Sequence, residues 1–364
     1  MHKVTPLVED LLEFIAMDGC TDAQFDQMAL RLFAHQYAAN QPFQSFCRLR
    51  GVNLRSVKSW ADIPAVPIDA FKALPLRCEP PAATDRIFMT SGTTRGGSTR
   101  GQHFHPLLDV YDLSMTRNFA QRFMRGAQRM PMGILFPDEV AMPNSSLAHY
   151  LDLAKSAFGS TSSGDSQTFV TPQGMDLDGL CAALAAAERS GEPYALLGAS
   201  FSFVHVIDAL RQQGRAFKLP PGSRILDTGG YKGQSRELPL DAFYSGLSQA
   251  LGVPRSHCIN MYGMTELSTQ FYDDGNAQVP SVKSGPHWIR SRLVDPVTGR
   301  TVPAGERGIL VHCDLANFNS VTTILTEDVG LEAEGGFLLL GRAEGVEAKG
   351  CSLAVEEFVG AMAA

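Results

Sequence analysis

The chain has 364 residues, 44% of them hydrophobic, enough to bury one large core or two unequal ones. A formal net charge of −7 argues against a general nucleic-acid surface, and no apolar run is long enough for a membrane span. Glu9, Asp10 and Glu13 interrupt the apolar pattern where a signal peptide needs an unbroken core, and seven scattered cysteines, an odd number without paired spacing, suit a reducing cytoplasm.

Apolar periodicity predicts helices over residues 7–17 and 22–39, the second opened by a capping box between Thr21 and Gln24. Residues 41–81, with Pro64, Pro67, Pro75, Pro80 and Pro81, are expected to run as turn-rich chain toward a glycine loop. Past that loop a helix is predicted over 107–124. Strands at 133–136, 194–197 and 223–226 then alternate with helices at 147–158, 177–188, 201–213 and 240–251, which argues for parallel βα units. From residue 281 on, Gly and Pro punctuate shorter strands at 289–294, 308–313, 321–325 and 337–340. The expected division is an α/β core over 1–280, a β-rich subdomain of the same domain over 281–340 and a short C-terminal stub over 341–364.

The glycine loop reads Thr90-Ser91-Gly92-Thr93-Thr94-Arg95-Gly96-Gly97-Ser98-Thr99-Arg100-Gly101 and follows the apolar Ile87-Phe88-Met89. Glycines let the backbone approach a ligand, and hydroxyls, exposed N–H groups and arginine forks suit anionic oxygens. A flexible polar turn would use the same residues. The sequence lacks a Walker-type phosphate loop, a Gly-x-Gly-x-x-Gly fingerprint, a Gly-x-Ser-x-Gly elbow, and the Cys-x-x-Cys and His-Glu-x-x-His zinc patterns.

Downstream, Tyr262-Gly263-Met264-Thr265-Glu266 follows an apolar run, Thr326-Glu327-Asp328 forms an expected acidic turn after a β-branched run, and Gly341-Arg342 precedes Lys349-Gly350. In this order the motifs resemble the adenylate-forming superfamily, over residues 90–352. The chain stops at Ala364, soon after Gly-Arg, where ordinary members continue into a mobile lid. A short adenylating chain with a cysteine near its end resembles the acyl-protein synthetase (LuxE-type) family of bacterial bioluminescence. The fold so implied is the N-terminal domain of an adenylate-forming enzyme, with layered parallel βα units, a β-rich subdomain and a truncated lid.

The resemblance implies ATP and magnesium as cofactors and assigns the residues accordingly. Ser91, Gly92, Thr93 and Thr94 would hold the β- and γ-phosphates. Arg95 replaces a glycine of the superfamily loop and Ser98 stands at its lysine position, so Arg95 or Arg100 is left to supply charge. Thr265 would contact the α-phosphate and Glu266 the magnesium; Glu266 on its own reads as a solvated turn carboxylate. Tyr262, beside Gly263, would stack on adenine or is an ordinary core tyrosine. Gly229 and Gly230 line the adenine pocket or make a strand-to-helix turn. Asp328 would accept both ribose hydroxyls, with Glu327 in place of a glycine before it, and Arg342 would reach the ribose or a phosphate.

Cys351 precedes a short helical pattern over 352–358 and lies two residues from Lys349. A thiol at a helix start beside a lysine is expected to have a lowered pKa, whereas by residue type alone Cys351 reads as a buried small cysteine. The resemblance makes it the carrier of an acyl thioester bound for a partner protein, a reductase or carrier. In place of the lid lysine the resemblance leaves the arginines acting alone or a group supplied by a partner protein, with Lys349 as the in-chain candidate. Phe201, Phe203, Val204, Ile207 and Leu210 form an apolar stripe that reads as a helix core face before it reads as an acyl-pocket wall. A fatty acid follows from the resemblance alone. Two alternatives stay open: a ligase using CoA, a carrier protein or an amine, and a catalytically weak subunit scaffolding an acyl-transfer complex.

Overall fold

The short apolar runs in the middle of the chain have the length of strands buried on both faces, and the amphipathic segments between them supply the covering helices. In the computed structural model, which describes residues 5–83, 85–90, 100–161, 166–230 and 235–362, they form the expected parallel sheet. Its order is Phe271–Tyr272, Cys258–Tyr262, Arg224–Asp227, Ala195–Gly198, Met132–Leu135 and Gln167–Thr168, parallel throughout except at the Phe271–Tyr272 edge. Helices Ser146–Phe158, Leu177–Ser190, Ser200–Gln212 and Leu240–Leu251 connect the strands. Phe203, Val204, Ile207 and Leu210 pack in one core with Leu196, Ile225, Phe243 and Leu247, so that stripe is a core face.

By their contacts the residues divide into two units. This sheet belongs to one, Thr116–Gly263 with Phe271–Val282; the other comprises Met1–Met115, Met264–Gln270 and Lys283–Ala364. The second unit is built on an antiparallel path Gly336–Arg342, Thr323–Ala333, Arg307–Asp314 and Ile289–Val294. Val66–Pro67 adds to it in parallel, pairing with Ile324 and Leu325. Helices Pro6–Ala16 and Asp22–Ala39 open this unit, and Thr21 and Gln24 cap each other as their spacing predicts.

Three local expectations are corrected. Residues 41–81 are not all turns: Gln41–Leu49 is a helix, capped by Asn40, whose side chain accepts from the Phe43 N–H at 3.2 Å. A proline in the first helical turn costs no hydrogen bond, and Phe43, Phe46 and Cys47 bury one face. Thr326-Glu327-Asp328 is not a turn but lies inside the strand Thr323–Ala333. The last helix is Gly345–Gly360, so it starts before Cys351 and not after it. Among the described residues no helix is long and apolar enough to cross a membrane.

Candidate active site

The antiparallel pair Arg86–Met89 and Gln102–His105 carries the two ends of the glycine loop. The Thr90 N–H donates to the Gly101 carbonyl at 3.0 Å, and the Gly101 N–H donates to Thr90 Oγ1 at 2.9 Å. Ser91, Gly92, Thr93, Thr94 and Arg95 lie outside the described residues. Gly101 is packed at the loop's base: a Cβ built there would lie 3.1 Å from Thr90 Cγ2 and 3.5 Å from both Glu266 Oε1 and Lys72 Cγ. The loop's base, Glu266 and Lys72 therefore converge on one spot.

His103 ties the loop strand to the Thr-Glu motif. Its Nδ1 is 2.9 Å from the Thr265 carbonyl and its Nε2 is 3.1 Å from Ser320 Oγ. The carbonyl only accepts, so Nδ1 carries the proton and the serine hydroxyl donates to Nε2. Burial pushes the imidazole pKa down to about 4, which keeps the ring neutral. The backbone after Thr265 is held just as firmly. Asn317 Nδ2 donates to the Glu266 carbonyl at 2.8 Å, and the Ser268 and Thr269 N–H groups donate to Asp314 Oδ2 at 2.9 and 2.8 Å. Burial raises the Asp314 pKa to about 6, against the pull of these donors.

The Glu266 side chain is 6% exposed, which excludes a solvated turn carboxylate. Burial pushes its pKa up to about 7, while the charges of Lys72 and Arg342 pull it down. A buried carboxylate next to cations and a loop rich in donors is poised to be charged by whatever cation arrives beside it.

Asp328 is buried, and its register partner on the neighbouring strand is Arg342. Arg342 Nη1 lies 3.4 Å from Asp328 Oδ1 and Nη2 makes a short ion pair with Glu327, so one guanidinium spans both acids. Burial and Asp69 raise the Glu327 pKa. Gly341, just before Arg342, has φ +132, a backbone position that other residues avoid.

Cys351 does not stand where its sequence neighbours suggested. It lies within the helix Gly345–Gly360, 3% exposed, packed with Val294, Ile309, Val311 and Val329, its Sγ 3.9 Å from the Thr326 carbonyl. Burial pushes the thiol pKa up to about 11, Glu327 adds to the rise and Arg342 opposes it. The expected lowering is reversed because the helix terminus lies away from the sulfur and the apolar packing dominates. Lys349 is exposed on the same helix, and Arg100 is exposed beside Gly101.

The other unit places its expected residues at the C-terminal ends of adjacent parallel strands, where open α/β sheets bind ligands. Asp227 ends one strand and accepts from Ser200 Oγ at 2.8 Å, Tyr244 OH at 3.0 Å and Asn260 Nδ2 at 2.8 Å. Gly229 and Gly230 follow at φ +65 and +80, so the turn itself requires glycine. Tyr262 ends the next strand opposite Phe271, its ring centroid 5.9 Å from that ring, with Gly263 directly after it.

Sequence reasoning had missed Lys72, His103, Asp314 and Asn317. The only available signal was indirect: His103 stands two residues after the loop, and Asp314 ends an apolar strand.

A family described as acyl-protein synthetase, LuxE, matches residues 17–359. Among curated relatives, the long-chain-fatty-acid–luciferin-component ligase of Vibrio harveyi is 23% identical over 337 residues, covering 89% of this chain and 85% of that protein. The ligase of the same description from Aliivibrio fischeri is 22% identical over 318 residues, covering 85% and 79%. Among solved structures, an open conformation of 2-hydroxyisobutyryl-CoA ligase with 2-HIB-AMP and CoA superposes with a TM-score of 0.61 at 15% identity, over 89% of this chain and 71% of that one. ATP-bound MatB from Rhodopseudomonas palustris gives a TM-score of 0.52 at 18% identity over 70% of this chain; the match spans 47% of MatB, about half its length. At these identities the structures show a shared fold. With the family match spanning nearly its whole length, the chain belongs to the LuxE acyl-protein synthetases, adenylate-forming ligases.

Proposed function

We propose that this protein activates a fatty acid with ATP as an acyl-adenylate, then carries the acyl group on Cys351 as a thioester for delivery to a partner protein. The observation that carries the first half is the buried Glu266 carboxylate against the base of the Ser/Thr/Gly loop, with Thr265 locked to His103 next to it. In this reading the acid's carboxylate oxygen attacks the α-phosphorus. The acyl–O–P bond forms, the bond to the bridging oxygen breaks, and pyrophosphate leaves with the electron pair. The Thr265 hydroxyl donates to an α-phosphate oxygen, Asp328 accepts the ribose hydroxyls, and Arg342 meets the neighbouring ribose or phosphate oxygens. Ser91, Gly92, Thr93 and Thr94 hold the terminal phosphates, with Arg95 or Arg100 supplying positive charge. For the other unit, taken by itself, Gly229, Gly230, Tyr262 and Gly263 are assigned to adenine.

Magnesium fits the donor set in one way. Among the described residues there is no group of three or more His, Cys, Asp or Glu side chains able to hold a metal ion. One carboxylate beside a phosphate site suits a hard cation that keeps waters and phosphate oxygens as its other ligands. Glu266 would hold it, and the ion would neutralise charge on the phosphates.

In the second half the Cys351 thiolate attacks the acyl carbon, the C–S bond forms, and AMP leaves with the electrons of the anhydride C–O bond. Burial pushes the thiol pKa up to about 11, and the side chain is packed away from solvent, so in this reading acylation needs the sulfur to become accessible. The same burial favours a second reading, in which the acceptor is CoA, a carrier protein or an amine and Cys351 stays idle. The deciding experiment incubates the protein with ATP, magnesium and labelled long-chain fatty acid. A hydroxylamine-labile label on Cys351 supports the self-acylating reading. Label that appears only on an added acceptor replaces it with the second, and acid-dependent pyrophosphate exchange must accompany either.

A further inference from the structure

Lys72 sits at the base of the loop and has no task in the scheme above. Its segment is fixed on several sides. Val66 and Pro67 pair with Ile324 and Leu325, and the Ile68 N–H donates to the Leu325 carbonyl at 3.0 Å. Phe71 is buried edge-on against His103, with ring centroids 5.7 Å apart. The stem of Lys72 is thereby laid against Gly101, and its ammonium is held 2.7 Å from Asp69. Its charge is felt by both Glu266 and Glu327. The other cation felt by both acids, Arg342, is already committed to Glu327 and Asp328. Lys72 thus lays its flexible stem against the point where Thr90, Gly101 and Glu266 meet, with a compact charge at its end paired to one carboxylate. Such an ammonium exchanges a carboxylate oxygen for a phosphate oxygen without moving its backbone.

We propose that Lys72 is a catalytic cation for the nucleotide's phosphate chain, leaving Asp69 for a phosphate oxygen when the triphosphate binds. The proposal rests on the adenylating reading and adds a residue to it. Lys72 keeps its proton throughout. As the acid's oxygen bonds to the α-phosphorus and pyrophosphate departs with the bridging electron pair, the ammonium stabilises the charge that develops on the phosphate oxygens. Asp69 is its resting partner, holding the ammonium in place.

The test uses the full-length protein and two readouts. The first is amine acetylation read by mass spectrometry at Lys72, with and without ATP. Lys155 is a matched internal control, 28% exposed against 26% for Lys72 and likewise paired with an aspartate three residues earlier. ATP should suppress labelling of Lys72 and leave Lys155 unchanged. The second is pyrophosphate exchange: Lys72→Gln should lower kcat by ~10²–10³ with a smaller change in KM for the acid, and Lys72→Arg should recover part of the loss. Lys72 labelled alike with and without ATP overturns the proposal, and so does protection combined with wild-type exchange in Lys72→Gln. If Lys72→Gln fails to fold, labelling of the unaltered protein decides. If the unaltered protein shows no acid-dependent exchange, the adenylating reading falls, while protection of Lys72 by ATP still reports on its contact with the triphosphate.

Discussion

Glu266 and Cys351 lie in the same unit, and burial raises the pKa of both, to about 7 and to about 11. Their surroundings differ in kind. Glu266 faces the base of a donor-rich loop, with Lys72 and Arg342 close enough for their charges to act on it. Cys351 is packed among Val294, Ile309, Val311 and Val329 with the Thr326 carbonyl beside its sulfur. A carboxylate in the first setting ionises when a cation binds beside it. A thiol in the second stays protonated while it is buried there. On this account Thr265, Glu266 and the base of the loop are already brought together in the resting fold, while Cys351 is buried away from solvent.

The comparison breaks most sharply at Cys351. Cys351→Ser should remove the hydroxylamine-labile acyl label altogether while leaving acid-dependent pyrophosphate exchange near wild type; loss of both would join the two regions into one site. Next in size is Glu266→Gln, for which a ~10²–10³ loss of exchange rate is expected because a charge that meets the transition state is gone. Asp328→Ala should act on binding: losing a hydrogen bond to a charged group costs about 1.5–3 kcal/mol, so KM for ATP should rise roughly ten- to a hundred-fold with kcat less affected.

The smallest effects are on stability, and their signs oppose. Glu266 has a folded pKa of about 7 against an ordinary 4.5, so the folded chain holds the proton more tightly than the unfolded one. The stability it contributes is complete below 4.5 and is lost as the pH rises through 7. Glu266→Gln should therefore melt above wild type at alkaline pH and approach it in acid. His103 runs the other way: its pKa falls from 6.5 to about 4, so its contribution is present above 6.5 and is lost as the pH falls through 4. Replacing His103 by Gln should flatten the acid side of the melting profile. Thermal denaturation across pH checks both.

Much of this was legible in the sequence, for identifiable reasons. Buried parallel strands are short continuous apolar runs, so the strand ending at Asp227, and the glycines after it, could be placed from the residues alone, while residues 258–261 were read only as an apolar run before the Tyr262 motif. Lys72 could not, because it stands on a single helical turn, Ala70–Ala73, whose position is set by pairing with a strand more than two hundred residues away. The setting of Cys351 was misread because the helical pattern was started at residue 352. The helix begins at Gly345 and runs on through Gly350, where a Cβ would come 3.0 Å from Pro296, a close packing contact. The strand Thr323–Ala333 was cut short because Glu327 and Asp328 read as a turn; their charge is accommodated by Arg342 on the neighbouring strand.

The most direct test of the central claim is ATP–pyrophosphate exchange with a long-chain fatty acid and magnesium, run on the unaltered protein and on Glu266→Gln side by side. The account predicts exchange that depends on the acid in the first and is reduced by ~10²–10³ in the second. Exchange at equal rates in both proteins, or none in the unaltered protein with any acid of that class, would contradict it.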